Sequence, residues 1–411
     1  MKIIEDLAVL NRAQWATFIA SVLGWTLDAF DFFLVVFVVS AMAADFHATI
    51  AGVTLGITVS LMMRPFGAFV FGWLAEKFGR RPILMIDILL FSVFELASGF
   101  AHSLPAFLVL RAFFGFAMGG EWGIGASLVM ESIPARSRGA VSGILQQGYP
   151  LGYLLASLVY WLVFDKYGWR PMFVIGVAPA LLVLFIRFFV KESPVWEHSR
   201  KTKVSPNLLG SLAKNWKTFF FVILLMTAFN FFSHGTQDLY PTFLQKQHHL
   251  PTQTVSVITI VMNIGAIIGG MTFGFWSQRI GRRRAIVIAA LMALPIIPLW
   301  AFSTTPLMLG LGAFLLQVAV QGAWGVIPAH LNELSPVEVR GTFPGFAYQV
   351  GNFFAASNAT IQAAIAAKYE NNYGLALALV LVMADLAILI VAACGPEAKE
   401  AVFEKGEITP R

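Results

Sequence analysis

Charged side chains are scarce in this chain. Only 12% of its 411 residues are Asp, Glu, Lys or Arg, against about 25% in soluble domains, while 58% are hydrophobic. That balance excludes an ordinary water-solvated domain and makes lipid the expected solvent. Cysteine occurs once, at Cys394, so no intrachain disulfide can form. No G-x-x-x-x-G-K-(S/T) loop is present to cradle a nucleotide phosphate. No metal-ligand cluster or nucleophile triad falls at one depth, and His248 and His249 read as solvated loop residues beside Lys246. An enzyme, a bound metal and a cofactor are therefore not expected.

What the chain has in quantity is long apolar runs. Runs of roughly 20 residues match about 30 Å of hydrocarbon and favour helices over barrel strands. Twelve spans are expected: 15 to 43, 51 to 76, 83 to 102, 104 to 130, 139 to 164, 169 to 190, 217 to 245, 252 to 277, 284 to 302, 306 to 332, 341 to 367 and 373 to 394. The net charge of +6 does not indicate nucleic acid, because the basic residues gather in short loops on one side. That side includes Lys77, Arg80, Arg81, Arg136, Arg138, Lys214, Arg279, Arg282, Arg283, Arg284 and Arg340, whereas the opposite loops hold Lys166, Arg170, Lys246 and Lys368. Both termini are expected on the cytoplasmic side of a plasma membrane, the inner membrane in a bacterium.

One internal repeat organises the chain. Gly72, Gly79, Arg80 and Arg81 recur as Gly274, Gly281, Arg282 and Arg283, a shift of 202 (274 − 72). Trp122, Glu131, Pro134, Arg138, Gly139, Gly143 and Gln147 recur at the same shift as Trp324, Glu333, Pro336, Arg340, Gly341, Gly345 and Gln349. Six helices per repeat make the halves parallel, with a midplane site between them. The expected layout is a six-helix bundle at 1–190, a charged cytoplasmic linker at 191–216, and a second bundle with a short tail at 217–411.

Ionisable residues at membrane depth cost about 2.5 to 3.5 kcal/mol each on insertion scales and mark function by default. Asp28 and Asp31 lie one turn apart near the middle of span 1, so both cannot ionise without a cation; Arg64 of span 2 or Arg111 of span 4 could supply it. These four are candidates for proton coupling (Asp28, Asp31) and for holding a substrate anion (Arg64, Arg111). Glu121 lies deeper in span 4, and Glu95 and Asp385 lie in spans 3 and 12. In span 7, Asn230, Ser233, His234, Gln237 and Asp238 form one polar stripe expected to line the cavity, and His234 and Asp238, one turn apart, could share a proton. Span 5 offers Gln147 and Tyr149 as further donors, with Pro150 permitting a kink.

The loop GWLAEKFGRR and its copy GFWSQRIGRR, read with the repeat, resemble the major facilitator superfamily over essentially the whole chain. Glu76 stands where the superfamily loop usually has Asp, and Gln278 replaces it in the second copy, implying a weaker second gate. ESIPARSRG and ELSPVEVRG resemble the sugar-porter E-x-x-P-x-x-x-R-G signature. The resemblance implies an all-α integral membrane fold of twelve helices in two pseudo-symmetric bundles, in which spans 3 and 12 are peripheral. It also implies that Glu76, Arg80, Arg81, Glu131, Arg138, Arg282, Arg283, Glu333 and Arg340 act as a cytoplasmic gate.

The span 7 sequence NFFSHGTQDLYPT is similar to the N-x-x-(S/T)-H-x-(S/T)-Q-D-x-x-x-T signature of the sialate and lactate proton-symporter subgroup. That likeness implies substrate passage along Asn230 and Gln237, proton coupling at His234 and Asp238, and substrate contact from Gln349 and Asn352 of span 11. The expected activity is proton symport of a small monocarboxylate such as lactate or pyruvate by a monomer in the lipid bilayer. Sialic acid, a sugar or an aromatic acid is the alternative cargo, and a transporter-like nutrient sensor the remote one.

Overall fold

The computed structural model describes residues 7–48, 50–201, 208–336 and 339–397. Expectations for the first six residues, for 202–207 of the linker and for the tail beyond 397 lie outside the described residues. Among the described residues every regular element is helical. The first half runs through α1 (Arg12–Asp45), α2 (Ile50–Phe78), α3 (Arg80–Gly99), α4 (Leu104–Met118), α5 (Glu121–Ser132), α6 (Arg138–Leu145), α7 (Gly148–Tyr167), α8 (Arg170–Ile175) and α9 (Pro179–Phe189). Two short helices follow, α10 (Pro194–Lys201) and α11 (Leu208–Lys214). The second half holds α12 (Trp216–Gln237), α13 (Tyr240–Lys246), α14 (Thr252–Ile280), α15 (Arg282–Ala293), α16 (Ile297–Phe302), α17 (Pro306–Trp324), α18 (Ile327–Leu334), α19 (Phe343–Ala355), α20 (Asn358–Lys368) and α21 (Tyr373–Cys394).

Ten stretches among the described residues are long and apolar enough to cross a bilayer. The other two expected crossings, 139 to 164 and 341 to 367, are helix pairs: α6 and α7 break at Gln146 and Gln147, and α19 and α20 break at Ala356 and Ser357. Pro150 accounts for the first break, since its ring crowds the carbonyl four residues back, that of Gln146, and offers no N–H in return. Both interrupted crossings are the fifth of their half.

Local chemistry sets the helix ends. Asn11 and Gln14 cap α1 reciprocally, each side chain accepting the other's backbone N–H. The turn from α2 to α3 is a single residue, Gly79 at φ 109°, and its repeat partner Gly281 makes the same turn at φ 98° before α15. A side chain would be strained at either position, which is why both loop copies keep glycine there.

The buried apolar residues divide by half. One cluster is drawn from residues 20–190, a smaller one in the same half from 10–145, and the third from 222–392, with Trp25 and Trp122 of the first half seated in the last. Between halves, α2 packs on α19 and α14 packs on α6. Lipid tails supply no hydrophobic drive for such contacts, so close backbone approach through small residues does the work. At Gly123 and Gly345 a Cβ on either residue would lie 2.6 or 2.7 Å from the other's Cα.

Candidate functional site

Gly119, at the end of α4, lies so close to the Arg64 carbonyl that no side chain would fit. That contact sets α2 against α4, with Arg64 beside Met118. Its Nη2 is 3.5 Å from Asp28 Oδ2 and 2.7 Å from Met118 Sδ, and its carbon sits 5.3 Å from the Phe32 ring centre. Both partners of this ion pair are buried, at 4% and 1% exposure.

The second half presents an imidazole to the same cavity. His234 Nδ1 is 3.1 Å from Asp238 Oδ1, and Nε2 is 3.3 Å from Asn352 Oδ1. Asn352 is itself oriented, because its Nδ2 donates to Gln349 Oε1 at 2.8 Å. Trp25, Asp28, Arg64 and Tyr149 from one half, and His234, Tyr348 and Asn352 from the other, line a cavity of about 10 Å³, room for roughly one water. Its aromatic lining is held by ring contacts: Trp25 stacks on Tyr149 at 5.9 Å, and Tyr348 meets Trp122 at 4.7 Å and Trp324 at 5.5 Å.

Other candidate residues lie elsewhere. Arg111 does not reach Asp28; its Nη1 binds Glu95 Oε2 at 2.6 Å and its Nε donates to Ser60 Oγ at 3.2 Å. Glu95, set aside as peripheral, is thus the partner of the second intramembrane cation. Neither Asp31 oxygen has a hydrogen-bond partner among the described residues. The expected stripe on span 7 divides. His234 reaches the cavity and Asn230 donates to the carbonyls of Met226 and Tyr348 at 2.8 and 3.4 Å, while Gln237 turns to Gln317 of α17 at 3.4 Å. Gln147 donates back to Gly143 O at 2.6 Å.

At the face carrying the arginine-rich loops, here the basic face, one bridge between the halves is made twice. The Gly341 N–H donates to Glu76 Oε1 at 2.6 Å, and its repeat equivalent, the Gly139 N–H, donates to Gln278 Oε1 at 3.1 Å. The neutral amide of Gln278 thus stands in the same bridge as the Glu76 carboxylate, at a longer distance. Ser127 Oγ donates to Arg340 O, and Ser142 Oγ donates to Gly325 O, both at 2.8 Å. Within each half an arginine gathers the acids. Arg80 binds Glu76 at 2.8 Å and Glu131 at 3.3 Å, whereas Arg282 grips Glu333 through Nε and Nη2, both at 3.0 Å. Arg138 and Arg340 donate to the carbonyls of Met130 and Asn332. Arg81 donates to the Arg187 carbonyl and Arg283 to that of Gly395, so these two tie α3 and α15 to the ends of α9 and α21.

This geometry sets one expectation. Glu76→Gln, which keeps the acceptor for Gly341 and leaves Arg80 on Glu131, is expected to slow uptake less than about tenfold, the scale of one hydrogen bond. Arg282→Ala leaves Glu333 buried without its cation and is expected to cost well over tenfold, a breakage of about 3–5 kcal/mol. Initial uptake rates of the two variants at matched expression check this; equal losses would mean that the carboxylate charge of Glu76 matters after all.

The description of the Major Facilitator Superfamily matches residues 21–357. The chain belongs to that superfamily. Its fold agrees: a solved structure of the proton:xylose symporter XylE superimposes with a TM-score of 0.78 at 20% identity, covering 95% of this chain and 98% of that one. Curated relatives are transporters by name. A carboxylic acid transporter protein homolog of Saccharomyces cerevisiae is 29% identical over 89% of this chain, which spans only 64% of that protein's length. A probable 4-methylmuconolactone transporter of Cupriavidus pinatubonensis is 31% identical over 84% of this chain and 82% of its own. The sialic acid transporter NanX of Escherichia coli is 28% identical over 94% of this chain and 95% of its own. As a member of the superfamily the chain is a multi-pass membrane transporter and not an enzyme.

Several polar residues of this superfamily member escaped the sequence reading. Gln317 and Gln321 of α17 reach Thr236 and Ser233 at 2.8 and 3.4 Å; their i, i+4 spacing in an apolar run was the available signal. Glu192 and Glu397, just past α9 and α21, accept the first backbone N–H groups of α3 and α15 at 3.0 and 3.2 Å, a favourable place for an anion. Asp87, seven residues into α3, is buried too.

Proposed function

We propose that the chain carries a small organic acid, a monocarboxylate such as lactate or pyruvate, together with one proton. The observation that carries this reading is the facing of the Asp28–Arg64 pair and of His234, itself bound to Asp238, across one cavity between the halves. Arg64 is the cation a carboxylate needs, and charge-assisted bonds to it orient the substrate. When the substrate takes Arg64, Asp28 loses its counter-charge and binds a proton, so substrate and proton load together and the cavity stays neutral. Both His234 nitrogens face acceptor oxygens, so the ring accommodates a second proton against Asp238.

The bundles 1–190 and 217–411 act as rigid bodies that rock about this cavity, joined by the linker 191–216. The basic face is the cytoplasmic one, with both termini on that side of the plasma membrane, and its contacts form the inner gate. That gate is shut, while Asp238 keeps 34% of its side chain exposed, which supports a path from His234 to the outside. One polypeptide contains the whole cycle, so a monomer suffices.

Labelled lactate uptake into proteoliposomes under an inward proton gradient tests the reading. Accumulation of about tenfold per pH unit, abolished by a protonophore, is the expected result. Gradient-independent equilibration sinks proton coupling. Competition by sialic acid but not by lactate moves the assignment to the cargo for which NanX is named.

A further inference from the structure

Besides the gate acids Glu76 and Glu131, five carboxylates lie buried in the first half: Asp28, Asp31, Asp87, Glu95 and Glu121. Two cations, Arg64 and Arg111, accompany them, and those are paired to Asp28 and Glu95. Asp87 and Glu121 are fully buried, and neither oxygen of either has a hydrogen-bond partner among the described residues. A charged carboxylate cannot persist in that condition, whereas a carboxylic acid can. The elements packed on α3 bring Arg64, Arg111, Arg170 and Arg187, besides the exposed Lys77. The first three are bound to Asp28, Glu95 and Asp45, and Arg187 is exposed at the basic end. Those elements also bring the acids Glu76, Glu121 and Glu131.

The repeat separates structural need from function. The positions 202 residues beyond Asp87 and Glu121 are Ala289 and Ala323, both fully buried. The same helix packing is thus achieved in the second half with a methyl group, so the fold does not require an acid at either place.

Depth orders the groups. Asp87 is seven residues from Arg80 at the basic end of α3, about 10 Å at 1.5 Å per residue, and Glu121 is ten residues from Glu131, about 15 Å. Asp87 Oδ1 lies against Gly120, 2.8 Å from where a Cβ would sit, and Gly120 directly precedes Glu121. Asp28, Glu121 and Asp87 therefore descend from the cavity toward the gate acids Glu76 and Glu131.

We propose that Glu121 and Asp87 form the inward limb of the proton path, running inside the first bundle and apart from the substrate route between bundles. This rests on the proton-coupled reading above. A proton leaves the Asp28 carboxyl for Glu121 and moves on to Asp87. It is released to water when the basic face opens, and each acid regains its starting state.

The test uses the purified full-length chain in proteoliposomes, with labelled lactate, cis,cis-muconate and sialic acid as probes. Asp87→Asn is expected to lower proton-driven accumulation at least about tenfold, the scale of a lost proton-transfer group, while self-exchange without a gradient stays within about twofold. Asp87→Glu, which restores a titratable group, is expected to recover most of the driven uptake. Driven uptake at the wild-type rate in Asp87→Asn overturns the assignment, and so does a matched loss of exchange, which marks a structural role. Wild-type uptake that ignores the proton gradient, or wild-type protein that takes up none of the three acids, overturns the reading beneath it instead.

Discussion

Arg64→Met is expected to lower proton-driven uptake by more than about a hundredfold, because a buried ion pair broken on one side costs about 3–5 kcal/mol. Methionine fills the space against Met118 and Phe32 but leaves Asp28, 1% exposed, without its cation. The same variant loses stability in detergent, measured as the temperature at which half the protein ceases to be monodisperse. Adding Asp28→Asn removes the stranded carboxylate and is expected to restore that temperature without restoring transport. Double-variant recovery of one property alone separates the pair's structural role from its role in holding the substrate. Uptake within threefold of wild type in Arg64→Met would discard Arg64 as the anion site.

Gly123→Val should be equally severe for a different reason. The new Cβ would meet the Gly345 backbone at 2.6 Å, where 3.4–4 Å is ordinary contact, and backbone cannot swing aside as a side chain can. α5 and α19 must separate, so the basic face cannot seal. Net uptake is expected to fall more than about a hundredfold, overpacking here acting at a contact the cycle must remake at every turnover. The sealed state can be read directly. Cys394 is the chain's one cysteine, so in a Cys394→Ser background Ser127→Cys reports on the seam beside Arg340. Its reaction with an impermeant maleimide from the basic side should rise in Gly123→Val. A wild-type transport rate, with the reporter still protected, would show that closure does not pass through this contact.

The repeat was legible because it needs only counting: Gly72 and Gly274, or Glu131 and Glu333, announce themselves at a fixed offset. Contacts within one helix were legible for a similar reason, since the i, i+4 spacing of His234 and Asp238 places both on one face. What could not be read was rotation about the helix axis relative to neighbours. Arg111 had Asp28, Asp31 and Glu95 within plausible depth, and only packing decides that it turns to Glu95. The stripe on span 7 failed likewise at Gln237, because a polar edge in a membrane can face another helix as readily as a cavity, and Gln317 was waiting there. The reach of Asn352 to His234, across 118 residues of chain, was accessible only through a family likeness. Loop acids such as Glu192 looked like linker charge, because their task as a helix cap appears once α3 has an orientation.

Duplication gives the two regions of the protein unequal tolerance of change. The bridge from Glu76 to Gly341 occurs twice, and the pair formed by Gln278 and Gly139 shows that one copy can drift from acid to amide while its contact survives. A population of such genes can therefore explore substitutions in the seal one copy at a time. The buried chemistry has no second copy, since alanine or isoleucine stands opposite Arg64, Arg111, Asp87, Glu95 and Glu121 in the other half. Changes of cargo or of coupling ion must then arise at positions where a single replacement has nothing to fall back on.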